Sequence, residues 1–405
     1  MKLSSKHTIA AGYIGYATQA LAINFTPLLF ITFENSYNIS LGKIGLLIAI
    51  SFLTQLTVDA IAAKFSSHVN IRRTVVLGHV CAAVGVIMLS FLPDIMPDAF
   101  IGLMIPTMLT AIGGGIIEVF ISPIVEACPT KEKSAAMSLL HSFYSWGSAA
   151  TILLSTLFFY FVGINNWRIL AVIWAILPLC GAIMFSFVPI YSLNSQETET
   201  TTGERKNLFC SGLFWMMFAV MFCAGASEMA MSQWASSFAE TALGVDKSIG
   251  DLLGPCAFAI FMGLTRVCYA FFSKKIKLPV FFAISAVFCA LAYLITALSP
   301  IPLISLLGCA ICGFSVGIMW PGTYSLATQR IPWGGVRMFA MLALAGDLGC
   351  TVGPSMTGFI AEILNDNLKI SFLFATVFPI TILILIPFIM LSKKKKQKEL
   401  ENGNQ

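Results

Sequence analysis

Four acids lie inside long apolar runs: Asp59, Glu118, Glu228 and Asp347. A charge at the centre of a bilayer costs at least about 2.5–3.5 kcal/mol, so an acid kept there is by default a candidate for function. Glu118 ends the run Gly113-Gly114-Gly115-Ile116-Ile117-Glu118, five residues before Pro123. The glycines let a neighbouring helix or a ligand approach the backbone, and the proline leaves a carbonyl one turn earlier without its donor. A carboxyl group in that setting can bind and release a proton; the alternative is an ion pair with Arg266 or Arg337. Asp347 sits between glycines in Ala345-Gly346-Asp347-Leu348-Gly349-Cys350, and Glu228 heads Glu228-Met229-Ala230-Met231-Ser232-Gln233-Trp234. These three are the candidates for proton exchange.

Polar groups beside aromatic rings suit a hydroxylated ring, whose hydroxyls bind carboxylates and amides while its C–H face packs on an aromatic ring. Gln233 and Trp234 offer that pair, as do His141 and Trp146 in Leu140-His141-Ser142-Phe143-Tyr144-Ser145-Trp146-Gly147. Trp320 and Tyr324 form an aromatic set ahead of Asp347, and Asn24, with Gln19 and Tyr16, supplies further polar groups. Bland readings stand beside these. Trp234 fits a membrane-interface belt, His141 fits packing, and His79 reads as structural. Asp251 lies near the end of its run and is expected to be wet.

The elements that hold these residues follow from composition. Of 405 residues 58% are hydrophobic and only 11% are charged, with a mean hydropathy of +0.87. A soluble domain carries about 25% charged residues, so this is an all-α polytopic membrane protein. Apolar runs give twelve candidate spans near 8–32, 41–63, 73–92, 100–126, 134–162, 167–189, 208–236, 249–272, 278–298, 301–328, 335–362 and 370–391. The one long internal polar stretch, Tyr191–Asn207, divides them six and six. The expected domains are therefore 1–189, a linker 190–207, 208–392, and a basic tail 393–405.

Alternating the loops places 20 of the 24 Lys and Arg on one side, leaving Lys43, Arg168, Lys247 and Lys369 on the other. That bias puts both termini and the linker in the cytoplasm, with the chain in the plasma (inner) membrane. The net charge of +5 reflects this anchoring against the lipid bilayer, so no nucleic-acid partner is expected. Most of the 11 cysteines fall in apolar stretches and read as small hydrophobes. The pair Cys309-x-x-Cys312 reads as packing, since no second pair or ligand histidine accompanies it. No metal site, cofactor, nucleotide-binding loop or catalytic motif is found, and the chain is not expected to be an enzyme.

Two related halves are suggested by matching junctions. Pro123-x5-Pro129 precedes Ala136-Met137, and Pro321-x10-Pro332 precedes Ala340-Met341. Two six-helix halves with 12 transmembrane helices, both termini and a central loop inside resemble the major facilitator fold along essentially the whole chain. That superfamily's signature between its second and third spans corresponds to Ala62–Arg73, where the basic Arg72 and Arg73 persist and the acid position is Ala63. Asp59, one turn earlier, is the expected substitute, so Asp59, Arg72 and Arg73 form the candidate cytoplasmic gate.

Within the superfamily, Glu118-Val119-Phe120-Ile121-Ser122-Pro123 followed by His141-Ser142-Phe143 resembles the fucose–proton symporter group, as does Trp320-Pro321-x3-Ser325-Leu326. The chain departs from that group at Ser122, where the group has Asn, and near Pro27, where it has Asp; Asn24 is the nearest polar residue. The resemblance implies a secondary transporter of a small polar solute, most simply a sugar taken up with protons by alternating access. Glu118 would be the proton-coupling and substrate-binding acid, with Asp347 or Glu228 in the second acidic role. Sodium is the alternative coupling ion, and a proton-coupled drug or metabolite exporter is the alternative function. A monomer is expected.

Overall fold

The computed structural model describes residues 3–65, 69–129, 133–191, 208–272, 278–331 and 335–402. Residues 192–207 of the expected linker and most of the signature stretch between the second and third spans lie outside the described side chains, as does that of Arg337. Every regular element among the described residues is helical. We number the spans α1 Ser5–Tyr37, α2 Leu41–Phe65, α3 Ile71–Leu89, α4 Ala99–Glu126, α5 Lys133–Val162, α6 Ile164–Phe187, α7 Gly212–Ala242, α8 Lys247–Arg266, α9 Leu278–Leu298, α10 Pro302–Ala327, α11 Gly335–Ile363 and α12 Leu368–Met390. Eleven are long and apolar enough to cross a membrane. The other, α11, has 29 residues and takes the twelfth place; its sequence from Gly346 to Gly358 is rich in Gly, Thr and Ser. Side chains such as Leu157, Phe161, Ile183 and Phe187 stand exposed on helix faces, which suits lipid as solvent.

Glycine sets the closest contacts, as expected where van der Waals packing replaces the hydrophobic effect between helices. A Cβ on Gly113 of α4 would overlap the Gly78 carbonyl of α3, and one on Gly308 of α10 would overlap the Thr296 side chain of α9. Gly147 of α5 lies on Ala17 of α1, and Gly349 of α11 lies on the Phe222 carbonyl of α7. The pairs α3–α4 and α1–α5 thus recur as α9–α10 and α7–α11, the pattern an internal repeat requires.

Prolines break three helices and expose backbone groups. Pro27 gives α1 a 3-10 turn at Thr26–Leu29 and cannot donate to the Ile23 carbonyl. Pro321 likewise leaves the Gly317 carbonyl without its helical donor, where α10 is interrupted between Val316 and Met319. Pro255 lies in a π-helical segment, Leu252–Cys256, inside α8, and α7 ends in another, Phe238–Ala242. Such segments commonly mark functional sites.

By contact the chain forms two compact units. One comprises Met1–Glu197 with Gln233–Ile260, the other Thr198–Ser232 with Phe261–Gln405. The first holds α1–α6 together with the end of α7 and the start of α8. In it, α8 packs on α5. The second holds the remainder of α7 and α8 with α9–α12. The backbone of the tail continues helically from α12 to Asn402.

Candidate functional site

In the first unit α1 and α4 run antiparallel, and their polar residues meet as rungs. Tyr16 and Gln19 are three residues apart on α1, and Ser122 and Glu118 four apart on α4, so each pair shares a helix face. The Tyr16 hydroxyl and Ser122 Oγ are 2.6 Å apart, and Gln19 Nε2 donates to Glu118 Oε2 at 2.6 Å. Gln55 of α2 donates its Nε2 to the same oxygen. Glu118 Oε2 thus accepts two amide hydrogens, from buried glutamines on two other helices. Gln19 Oε1 is itself buried with no hydrogen-bond partner, an acceptor available to a donor on a ligand. The three glycines before Glu118 make this convergence possible: Gly113 lies on α3, and Gly115 lies against Val58 and Gln55 of α2.

Around this carboxylate the His141 ring stands edge-on to Tyr16, centroids 5.1 Å apart, and Tyr13 stacks on Phe143 at 4.2 Å. Asn24 spends both amide hydrogens, one on the Ala20 carbonyl at 2.8 Å and one on Ser148 Oγ of α5 at 3.0 Å. Trp146 is exposed on α5. A cavity of about 30 Å³ lies between α1, α2, α4 and α7, lined by Ile23, Thr26, Ser51, Thr107, Thr110 and Gln233 among others. It has room for about two waters. Gln233 Nε2 donates to the Ile23 carbonyl freed by Pro27, at 3.4 Å.

Two readings of the sequence need correction. Trp234 is no belt residue: it is fully buried, its ring tilted against that of Phe30 with centroids 5.5 Å apart. Asp251 is not wet but 1% exposed. Its carboxylate accepts from Ser236 Oγ and, at 3.4 Å, from Thr156 Oγ1, and it pairs with Lys247 at 3.3 Å.

The second unit has its own cluster. The six-membered ring of Trp320 lies against Gly346, where any Cβ would overlap it, next in sequence to Asp347 on α11. Tyr324 follows Trp320 one turn later on α10, and both are half-buried, as is Asp347. Glu228 is buried on α7, close enough to Arg266 for the two charges to interact. Arg266 Nε also reaches the Gly317 carbonyl released by Pro321, at 3.4 Å. The neighbouring Tyr293 hydroxyl donates to the Ser227 carbonyl at 2.7 Å.

Of the candidate gate, Arg72 donates Nη1 to the Phe185 and Ser186 carbonyls at 2.8 and 3.0 Å, fastening α3 to the end of α6. Arg73 is exposed, its backbone N–H capped by Asn70, and Asp59 is half-buried on α2. At the opposite end Arg168 holds Asp94 through two bonds of 3.0 Å, and Tyr37 donates to the same carboxylate at 2.8 Å. Burial raises the Asp94 carboxyl, but the hydrogen bonds and charge of Arg168 outweigh it and hold Asp94 below the ordinary value. His79 is fully buried, its Nδ1 at 2.8 Å from the Val75 carbonyl, in keeping with a structural role. All 11 cysteines are free. Gln55 was not singled out from sequence; the signal was a lone amide in an apolar helix, Leu41–Phe65.

Long apolar helices, proline breaks at depth and acids inside the spans define a polytopic α-helical membrane protein of the transporter type. The Major Facilitator Superfamily model matches residues 12–336, and the chain belongs to that family. Among solved structures it is similar to a bacterial homologue of the human lysosomal transporter Spinster, with a TM-score of 0.75 and 16% identity over 97% of this chain and 98% of that one. It is also similar to the nucleoside transporter NupG, with a TM-score of 0.77 and 10% identity over 95% and 99% of the chains. The D-xylose–proton symporter gives a TM-score of 0.73 and 12% identity over 95% and 96%. No curated protein matches the chain. Members of the family are transporters rather than enzymes, and they carry small-molecule solutes.

Proposed function

We propose that the protein is a secondary transporter that takes up a small, neutral, polyhydroxylated solute, a sugar, together with protons. The observation that carries the reading is Glu118, a carboxylate inside a span that Gln19 and Gln55 hold by their amides. The two glutamines hold it in place through neutral amide donors on two other helices, which suits a group that must gain and lose a proton without losing its position. Tyr16, His141 and the buried acceptor Gln19 Oε1 surround it with groups that recognise hydroxyls. In the second unit Trp320 with Asp347 offers the ring face and the second acid.

The resemblance to the fucose–proton symporter group and the sugar–proton symport of one structural neighbour favour uptake, and the Lys and Arg bias of the loops supports cytoplasmic termini in the plasma membrane. The six-helix halves would rock about a mid-membrane site. A thermal-shift screen of the purified protein against sugars, nucleosides and drugs at two pH values tests the reading, because a ligand stabilises the state it binds by mass action. Sugars that stabilise more at the lower pH support it. Stabilisation by apolar drugs alone would favour the exporter.

A further inference from the structure

Where Pro27 interrupts α1, the Gln233–Ile260 segment fastens to it. Gln233 takes the Ile23 carbonyl, Trp234 packs on Phe30, and Lys247 Nζ donates to the Leu28 carbonyl at 2.7 Å. Lys247 also lies 3.3 Å from Asp251 and 4.0 Å from Glu240 Oε2, and Asp251 reaches across to Thr156 of α5. The cluster therefore joins the end of α7 and the start of α8 to both α1 and α5.

Its charges do not balance, since one lysine serves two carboxylates. Glu240 Oε2 is buried and accepts no hydrogen bond. The remaining neighbours do not correct this. Asp246 adds negative charge beside Glu240, and Cys256 is a neutral thiol next to Asp251. α1 and α5 bring the Leu28 carbonyl, Thr156 Oγ1 and the Phe159 ring, 5.8 Å from Lys247 Nζ. Asp246 is exposed and screened by water, so the packed groups carry one net negative charge, which is unfavourable in a partly dry contact and which one proton cancels.

We propose that Glu240, Lys247 and Asp251 form a proton-binding latch, which takes one proton onto the Glu240 carboxyl when α7 and α8 close on α1 and α5. The proton comes from the water on the side remote from the N-terminus, the outside in the proposed orientation. The proton neutralises a carboxylate that Lys247 reaches only at 4.0 Å and that accepts no hydrogen bond at Oε2, and it returns to that water when the latch opens. Lower pH on that side therefore favours the closed latch. The inference is independent of the solute and of the role of Glu118.

Hydrogen exchange followed by mass spectrometry tests it, with the full-length protein in lipid nanodiscs at pH 8 and pH 6, corrected for the intrinsic pH dependence of exchange. For a single linked proton the amides of 238–256 should gain protection by up to about tenfold per unit fall in pH, while α9 shows no such slope. Glu240→Gln balances the charges and should abolish the slope with the latch still closed. Asp251→Asn should also abolish it, with faster exchange because the bonds from Ser236 and Thr156 weaken. An absent slope in the unmodified protein, a slope that survives Glu240→Gln, or an equal slope in α9 would each overturn the proposal.

Discussion

Replacing Glu118 by Gln separates its architectural role from its proposed chemical one. The amide oxygen of the new side chain can still accept from Gln19 and Gln55, so the contact between α1, α2 and α4 should persist. Each hydrogen bond to a charged acceptor is worth about 1.5–3 kcal/mol and each neutral one about 0.5–1.5, so the two bonds together lose about 2 kcal/mol. The protein should still fold and insert. Transport should change more sharply. With one proton carried per solute, a gradient of one pH unit supplies about 1.4 kcal/mol and accumulates solute about tenfold. Glu118→Gln should only equilibrate it, to a ratio of about one, while exchanging labelled for unlabelled solute across proteoliposomes. Glu118→Ala is the contrasting variant. It leaves two buried amides unpaired at about 1–3 kcal/mol each and should lower thermal stability markedly. Tenfold accumulation by Glu118→Gln would refute the assignment of the proton to this residue.

Two further outcomes follow from the packing and the electrostatics. Gly349→Ala places a methyl group on the Phe222 carbonyl, so it should cost about 1–3 kcal/mol through overpacking; an unchanged unfolding temperature in detergent would contradict the α7–α11 contact. Arg168 holds the Asp94 carboxyl below its ordinary value, so the stability that Asp94 contributes is present above the unfolded value near about 3.9 and is lost as pH falls through the lower folded value. Acid titration of the unfolding temperature should show this loss below about pH 4, and Asp94→Asn should flatten it.

Much of the architecture was legible because lipid imposes simple rules. Twelve apolar runs are visible in the sequence alone, eleven of which form helices long and apolar enough to cross a membrane, and the glycines around Glu118 and Asp347 marked where helices approach closely. The partners of those acids were not legible. Gln55 stands 63 residues from Glu118, and nothing in the local pattern of α2 distinguishes a glutamine that turns toward α4 from one that meets lipid headgroups. Asp251 misled for a related reason. Its place near the start of α8 suggested water, but α5 and the end of α7 cover it. The i, i+4 spacing of Lys247 and Asp251 was a usable signal. The sequence offers Trp234 as a solute-facing ring, with a membrane-interface belt as the bland alternative; its burial beside Phe30, which follows the break at Pro27, was not legible from its position near a span end.

The central claim is that solute and proton cross together. It is tested most directly by loading proteoliposomes with a pH-sensitive dye, imposing no gradient, and adding a sugar that stabilises the protein. The account predicts acidification of the lumen in proportion to the sugar that enters, about one proton for each molecule, and none with Glu118→Gln. Sugar entry without any change in luminal pH would contradict it.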